Sequence, residues 1–260
     1  MKNIIEETIK QYVKEYSQRP DVHSNWKEPL FAYAAADDSA FYRIKNGVSP
    51  AHALPSDLLI DAKTVIVYFI PFEESIVESN THGIESSREW DQSYLETNDL
   101  IMNINIQIKE VLDKSGYTST LIPANDNFDK KRLISNWSQR HVAYVAGLGK
   151  FGLNRMIITE KGCCGRIGSI VTNLYIEPTQ RTKSQSCLYK ENRSCMACVK
   201  KCVNNALFEN ESHFDRYRCH EMCTYNEAKH DGNADVCGKC LVGIPCSFQN
   251  PVSAIRKIKL

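Results

Sequence analysis

The sequence predicts an α/β or α+β domain over residues 1–180, followed by a small metal-dependent module over residues 181–260. Two observations support this division. Segments with helical and strand periodicity are mixed through the first part of the chain. The cysteines are concentrated in the rest: nine of the eleven lie from Cys187 to Cys246, and the first 162 residues contain none. Background surface thiols would not segregate in this way.

The predicted helices have apolar residues every three or four positions, and the predicted strands have runs of β-branched and aromatic residues. The strongest strand pattern is TVIVYFI, which ends at Pro71. In chain order the predicted elements are a helix over 2–16, a strand over 64–70, a helix over 98–116, a strand over 117–122, a helix over 129–145, and strands over 155–159 and 169–176.

The composition is that of an ordinary globular protein, with 260 residues, 42% of them hydrophobic, and a formal net charge of +1. So small a net charge gives no global attraction for nucleic acid or an anionic membrane. The sequence contains no run of about 18 apolar residues, and its amphipathic start lacks the apolar region of a signal peptide. We therefore expect a cytoplasmic protein that does not bind membranes.

The cysteine spacing is that of iron–sulfur ligands. The block reads Cys187-x7-Cys195-x2-Cys198-x3-Cys202, then Cys219 and Cys223, then Cys237-x2-Cys240-x5-Cys246. Bacterial ferredoxins hold [4Fe–4S] clusters with C-x2-C-x2-C-x3-C, in which the fourth cysteine ligates the other cluster. The run from Cys195 to Cys202 matches the last three positions, and Cys187 replaces the missing first one.

Two [4Fe–4S] clusters are therefore predicted, each held by four thiolates. By the crossing rule, the last cysteine of each motif ligates the cluster of the other motif. This rule assigns one set to Cys187, Cys195, Cys198 and Cys246. It assigns the other set to Cys202, Cys219, Cys237 and Cys240. Cys223 is an alternative to Cys219, and Cys163 and Cys164 stay unassigned.

Zinc binding and a single cluster stay open as alternatives to the two-cluster prediction. Zinc also takes four thiolates from C-x2-C pairs, although one zinc ion would leave most of these cysteines unused. A single cluster would leave the remaining thiols free. Disulfides fit less well, because a reducing compartment keeps thiols free and eleven is an odd number.

Several segments resemble the epoxyqueuosine reductases. Arg140-His141 with Ala146-Gly-Leu-Gly-Lys-Phe-Gly152 resembles their R-AGLG-x-x-G element, and residues 165–174 look like the strand that follows it. Phe214-Asp-Arg-Tyr-Arg-Cys219 resembles the lone-cysteine segment between their two ferredoxin-like motifs. The order of these elements also agrees, from about residue 50 to 250. Reductive dehalogenases share this core, so the wider group is the corrinoid-linked iron–sulfur reductases.

The resemblance implies a nitroreductase-like core that holds cobalamin, and a ferredoxin-like module with two [4Fe–4S] clusters. Electrons from a donor such as ferredoxin or flavodoxin would pass through the clusters to a corrinoid or a small-molecule substrate. Gly147, Gly149 and Gly152 are expected to approach the cofactor, since glycines leave room near the backbone. A tight structural turn is the alternative interpretation of these glycines.

The chain also departs from this family. The family's aspartate proton donor lies in a D-x-x-P-x-x-E pattern that is absent here, which leaves Asp126, Asp129 and His141 as catalytic candidates. The sequence ends 14 residues after Cys246, without the family's helical-repeat tail, so tRNA is not the expected partner. Two functions follow: an oxidoreductase whose clusters deliver electrons to the core, or a non-catalytic electron carrier or corrinoid-accessory protein whose core no longer binds cobalamin.

Overall fold

The computed structural model describes residues 1–122, 128–230, 232 and 234–258. The helices are α1 (Lys2–Tyr16), α2 (Ser39–Gly47), α3 (Pro55–Leu58), α4 (Glu74–Ser79), α5 (Arg88–Lys114), α6 (Gln139–Ala146), α7 (Leu188–Asn192), α8 (Ala197–Lys201), α9 (Arg216–Lys229) and α10 (Pro251–Ile258). The strands are β1 (Leu30–Ala35), β2 (Thr64–Pro71), β3 (Ser119–Thr120), β4 (Phe128–Asp129), β5 (Ile134–Ser135), β6 (Lys150–Phe151), β7 (Ile157–Ile158) and β8 (Gly165–Thr172). Within these residues, no helix is both long and apolar enough to cross a membrane.

The main sheet has the order β1-β2-β8-β3, and each of its pairings is antiparallel. The central strand β2 pairs with β1 on one side and with β8 along its full length on the other. Two short hairpins, β4-β5 and β6-β7, lie outside this sheet. An antiparallel sheet covered by helices is an α+β arrangement, so the predicted mixture of helices and strands is confirmed in its α+β form.

Helices cover both faces of the sheet, which explains why β2 is buried at all eight positions. Successive side chains of a strand point to opposite faces. Val65, Val67 and Phe69 therefore lie in a hydrophobic cluster with residues of α2 and α6. Ile66, Tyr68 and Ile70 lie in a second cluster with residues of α1 and α5. A strand that is buried on both faces has apolar side chains at consecutive positions, and this is the pattern of β2 in the sequence.

The predictions for α1 and β2 are confirmed. The long predicted helix exists, but α5 begins well before residue 98 because Ser87 caps it, its hydroxyl accepting a hydrogen bond from the backbone of Trp90 at 3.1 Å. The helix predicted over 129–145 is wrong in its first half, where β4 and β5 form a hairpin. The remaining predicted strands are shorter or shifted, to β3, β7 and β8.

Sequence analysis missed β1 and α2, which lie where a loop was expected. The sequence of β1 is LFAYAA, and its three alanines have little intrinsic preference for strands. The segment becomes a strand because each of its residues has a partner on β2. This is a tertiary contact that no local pattern encodes.

The cysteine-rich part of the chain packs into the same interior as the sheet. Tyr189, Leu207, Val242 and Ile244 belong to the hydrophobic cluster that contains the α1-facing side of β2. Apolar residues on both sides of position 180 thus share one interior. The boundary between residues 1–180 and 181–260 stays a prediction, and "core" and "module" below refer to these two ranges.

We expect Ile108→Ala to lower the free energy of unfolding by about 2–5 kcal/mol, because Ile108 is fully buried between α5 and the sheet. Ile106→Ala, on the same helix, is the matched control, since Ile106 is 37% exposed. Urea denaturation of both variants measures the difference. Equal losses would show that α5 does not anchor the interior as described.

Candidate metal centres

The eleven cysteines are all free thiols, and nine of them line two cavities. The small thiol cavity is lined by Cys187, Cys195, Cys198 and Cys246. The large thiol cavity is lined by Cys202, Cys219, Cys223, Cys237 and Cys240. Cys202 is thus in a different cavity from Cys195 and Cys198, which precede it in its motif. Cys246 is likewise in a different cavity from the pair Cys237 and Cys240. This is the division that the ferredoxin crossing rule predicts.

The small thiol cavity has a volume of about 20 Å³ and is otherwise almost entirely apolar. Its thiols come from three short segments, namely the residue that precedes α7, the region of α8, and the turn before α10. The core contributes Leu153, Asn154 and Ile158. Burial raises the pKa of the Cys198 thiol to about 12, since an apolar wall disfavours a lone thiolate.

The large thiol cavity has a volume of about 210 Å³ and is lined by residues of α5, β8 and α9. Cys219 and Cys223 are one turn apart on α9, so both face it. A hydrogen bond from Cys223 lowers the pKa of Cys219 to about 7, and the positive charge of Arg140 acts in the same direction. The same hydrogen bond, followed by burial, raises the pKa of Cys223.

The core holds the loop that carries Cys237 and Cys240. Gly238 has a φ of +73°, and a Cβ at this position would collide with the indole ring of Trp90. The buried Lys239 donates from Nζ to the carbonyl of Asn80 at 2.9 Å. The Asn80 side-chain amide in turn donates to the carbonyl of Cys237 at 2.9 Å. Only glycine combines this backbone conformation with so close an approach, so the loop is fixed against α5.

The residues around the large thiol cavity fit a group rich in hydrogen-bond acceptors. The Ala206 backbone N–H donates to Cys202 Sγ at 3.2 Å. The buried Trp90 Nε1 and Arg155 Nε belong to residues that line the cavity, and neither has an acceptor among the described residues. Buried donors normally find a partner. Thiolate and sulfide sulfurs of a cluster could supply it.

Within the described ranges, no group of three or more His, Cys, Asp or Glu side chains is arranged to hold a single metal ion. A [4Fe–4S] cluster differs from such a site, because it binds one thiolate at each iron, so its ligands surround a volume. The nine thiols here surround two cavities.

The two catalytic candidates within the described residues, Asp129 and His141, line neither cavity. Asp129 is exposed on β4, and its carboxylate accepts the N–H groups of Lys131 and Arg132, which lower its pKa. His141 is half-buried and bonds through Nδ1 to Ser138 Oγ at 2.8 Å. Burial, then the charge of Arg140, lowers its pKa to about 4, so its imidazole is neutral at pH 7. Asp126 lies outside the described residues.

The three predicted cofactor glycines are packed against the protein itself. Gly147 ends α6 with a φ of +80°. A Cβ at Gly149 would collide with the carbonyl of Ile158, and one at Gly152 with the side chain of Asn154. None of the three lines either thiol cavity. Close packing of the β6-β7 hairpin accounts for their presence, and their contact with a cofactor stays a prediction.

The large thiol cavity has a basic wall. Arg140, Arg155 and Arg166 all line it, from α6, the β6-β7 turn and β8. More than a third of Arg140 is accessible. The sequence allows Arg155 to balance a cofactor phosphate or to be solvated, but no local pattern places it in one cavity with Arg166, because the two residues lie in separate segments.

No protein-family model matches the chain, and no curated protein matches it. Several solved structures do. The epoxyqueuosine reductase from Bacillus subtilis, solved with its aspartate catalytic loop swung out of the active site, matches at a TM-score of 0.58 and 18% identity, covering 93% of this chain and 66% of that one. An epoxyqueuosine reductase with an epoxyqueuosine-modified tRNA-Tyr stem loop matches at a TM-score of 0.57 and 19% identity, covering 93% of this chain and 64% of that one.

A catabolic reductive dehalogenase in complex with 3-bromo-4-hydroxybenzoic acid matches at a TM-score of 0.59 and 15% identity, covering 89% of this chain and 31% of that one. The chain therefore spans about two thirds of the length of these epoxyqueuosine reductases and about a third of the dehalogenase. At this identity the likeness is one of fold. This chain has the fold that epoxyqueuosine reductases and a reductive dehalogenase share, as the sequence resemblance predicted.

Proposed function

We propose that the protein is an iron–sulfur oxidoreductase in which two [4Fe–4S] clusters deliver electrons to a cofactor or substrate beside the core. One observation carries this proposal. Cys202 and Cys246 each lie in the cavity of the opposite cysteine motif, which is the exchange of ligands typical of two-cluster ferredoxins. A zinc site or a single cluster gives no reason for this exchange.

The cysteines have distinct roles in this proposal. Cys187, Cys195, Cys198 and Cys246 would hold one cluster, and Cys202, Cys237 and Cys240 the other, with Cys219 or Cys223 as its fourth ligand. When bound, the clusters supply single electrons, at potentials set by burial and by hydrogen bonds to sulfur. The Ala206 N–H provides one such bond, to Cys202 Sγ. Asn154 lines both cavities, so the two cluster sites are neighbours.

The large thiol cavity is the better place for the acceptor of these electrons. Its volume is about 210 Å³ against about 20 Å³ for the small one, and residues of the core line it. Cobalamin in the core is the acceptor that the reductase-like fold favours. A corrinoid-accessory protein or a plain electron carrier is the alternative, and the missing aspartate pattern in the sequence favours it.

The partners belong to the same proposal. A one-electron donor such as ferredoxin or flavodoxin would reduce the clusters, and a corrinoid or small molecule would receive the electrons. One structural neighbour was solved with a tRNA stem loop, so tRNA should be tested beside small molecules. A reducing compartment such as the cytoplasm would keep all eleven thiols available for iron.

We expect Cys198→Ser to remove one cluster, so that iron falls from about eight to about four atoms per chain, since each [4Fe–4S] cluster needs its four thiolates. Cys164→Ser is the matched control, because Cys164 lines neither cavity and its thiol donates to the carbonyl of Leu241 at 3.2 Å. Iron and sulfide analysis after anaerobic purification measures both. Full iron content in the Cys198 variant, or zinc in place of iron, would refute the assignment.

A cobalamin titration separates the oxidoreductase from the accessory protein. We expect the reduced two-cluster protein to change the cobalt-linked absorbance of added cobalamin, because electrons would pass from the clusters to cobalt. The Cys198→Ser protein, with one cluster site lost, should do so more slowly. An unchanged cobalamin spectrum with both clusters intact would favour the carrier or accessory role.

A further inference from the structure

We propose that the large thiol cavity binds a small anionic substrate, one that bears a carboxylate or a phosphate, through Arg155 and Arg166, with Arg140 beside them. This inference rests on the proposed function, because it names the substrate class of the same cavity. It also goes beyond that function, since cluster ligation by cysteines requires no arginine.

The three arginines converge from separate parts of the fold. Arg140 Nη1 donates to the carbonyl of Arg155 at 3.1 Å, which places two cationic residues in direct contact. Guanidinium groups remain charged in such surroundings. Ionised thiols of the same cavity offset part of this positive charge, and an anionic ligand would offset more of it.

The backbone of Arg155 has a conformation that is unfavourable for any residue other than glycine. Its φ of +64° lies in the left-handed region, which costs a non-glycine residue about 1 kcal/mol or more. Its Nε is buried without an acceptor, and its guanidinium lies over the Phe214 ring at 5.5 Å. The nearest carboxylate oxygen, Glu211 Oε2, is 3.9 Å away and lies closer to Lys190, at 2.8 Å. The N–H groups of the Arg155 guanidinium are therefore available to a ligand.

Arg166 is oriented by an aromatic face. Its guanidinium lies 4.2 Å from the centre of the Tyr94 ring, and the Tyr94 hydroxyl donates to Asp235 at 2.7 Å. This arrangement links β8, α5 and the module at the wall of the cavity. The Asp235 carboxylate lines the same cavity and attracts Arg166, although among the described residues neither Arg166 nor Arg140 forms a direct ion pair with a carboxylate. A guanidinium stacked on one face keeps its edge free for bidentate hydrogen bonds.

The cavity has room for both a cluster and a ligand. The small thiol cavity, lined by four thiols, has a volume of about 20 Å³, whereas the large one has about 210 Å³. The additional space is bordered by the arginines and by Phe72, Trp90 and Phe214. Carboxylates and phosphates match the guanidinium fork, and the aromatic side chains favour an apolar body. The site therefore fits a small organic anion next to the cluster.

Calorimetric titrations of the anaerobic two-cluster protein with inorganic phosphate and with phenylacetate test this proposal. The neutral 2-phenylethanol is the comparison ligand. We expect both anions to bind and to shift the paramagnetic resonance signal of one reduced cluster. In Arg155→Gln and Arg166→Gln the affinity should fall about 10- to 100-fold, as when a charge-assisted hydrogen bond is removed. Arg43→Gln, at an exposed arginine on α2, is the matched control.

Three outcomes would overturn the proposal: unchanged anion affinity in both variants, equal binding of 2-phenylethanol, or displacement of phosphate by cobalamin but not by cobinamide, which lacks the nucleotide phosphate. The last result would assign the arginines to a cofactor tail. Iron analysis of each sample keeps the two hypotheses apart. Normal iron without anion binding refutes only the substrate class, whereas absent iron refutes the proposed clusters.

Discussion

Backbone hydrogen bonds between the core and the last cysteine segment hold the two thiol cavities in place. The N–H of Cys163 donates to the carbonyl of Cys246 at 3.0 Å, and the N–H of Cys164 donates to the carbonyl of Ser247 at 3.3 Å. A Cβ at Gly162 would collide with the carbonyl of Ser247, so the two segments are in close contact. Cys246 is thereby separated from Cys240, the cysteine that precedes it in the sequence, and lines the small thiol cavity with Cys187, Cys195 and Cys198.

This contact explains why the cysteine-rich segment needs the core. Its helices α7 and α8 have five residues each, too few to be stable alone. Their buried residues Tyr189 and Cys198 belong to the same hydrophobic cluster as residues of α5 and β2. The proposed clusters would add ligand bonds to a framework that is already fixed at the Cys163–Cys246 contact and at Gly238. Metal binding and tertiary packing would then stabilise the same loops.

The electrostatics of the large thiol cavity follow from the same packing. Thiols from the module form one wall, and arginines from α6, the β6-β7 turn and β8 form another. Positive charge next to thiolates favours the ionised sulfur that metals require. Arg155 adds a left-handed backbone and a buried Nε without a partner among the described residues to this wall. Such strain is found most often at binding and catalytic sites.

The sequence alone determined the elements whose patterns are local. The apolar run of β2, the helical spacing of α1 and the cysteine spacings can each be read without a partner segment, because periodicity and ligand spacing reflect contacts within a few residues. Only the tertiary structure decided that LFAYAA becomes β1, and that Arg155 and Arg166 line one cavity with the thiols. These outcomes depend on residues distant in sequence, whose approach is set by the packing of the sheet against α5 and α6.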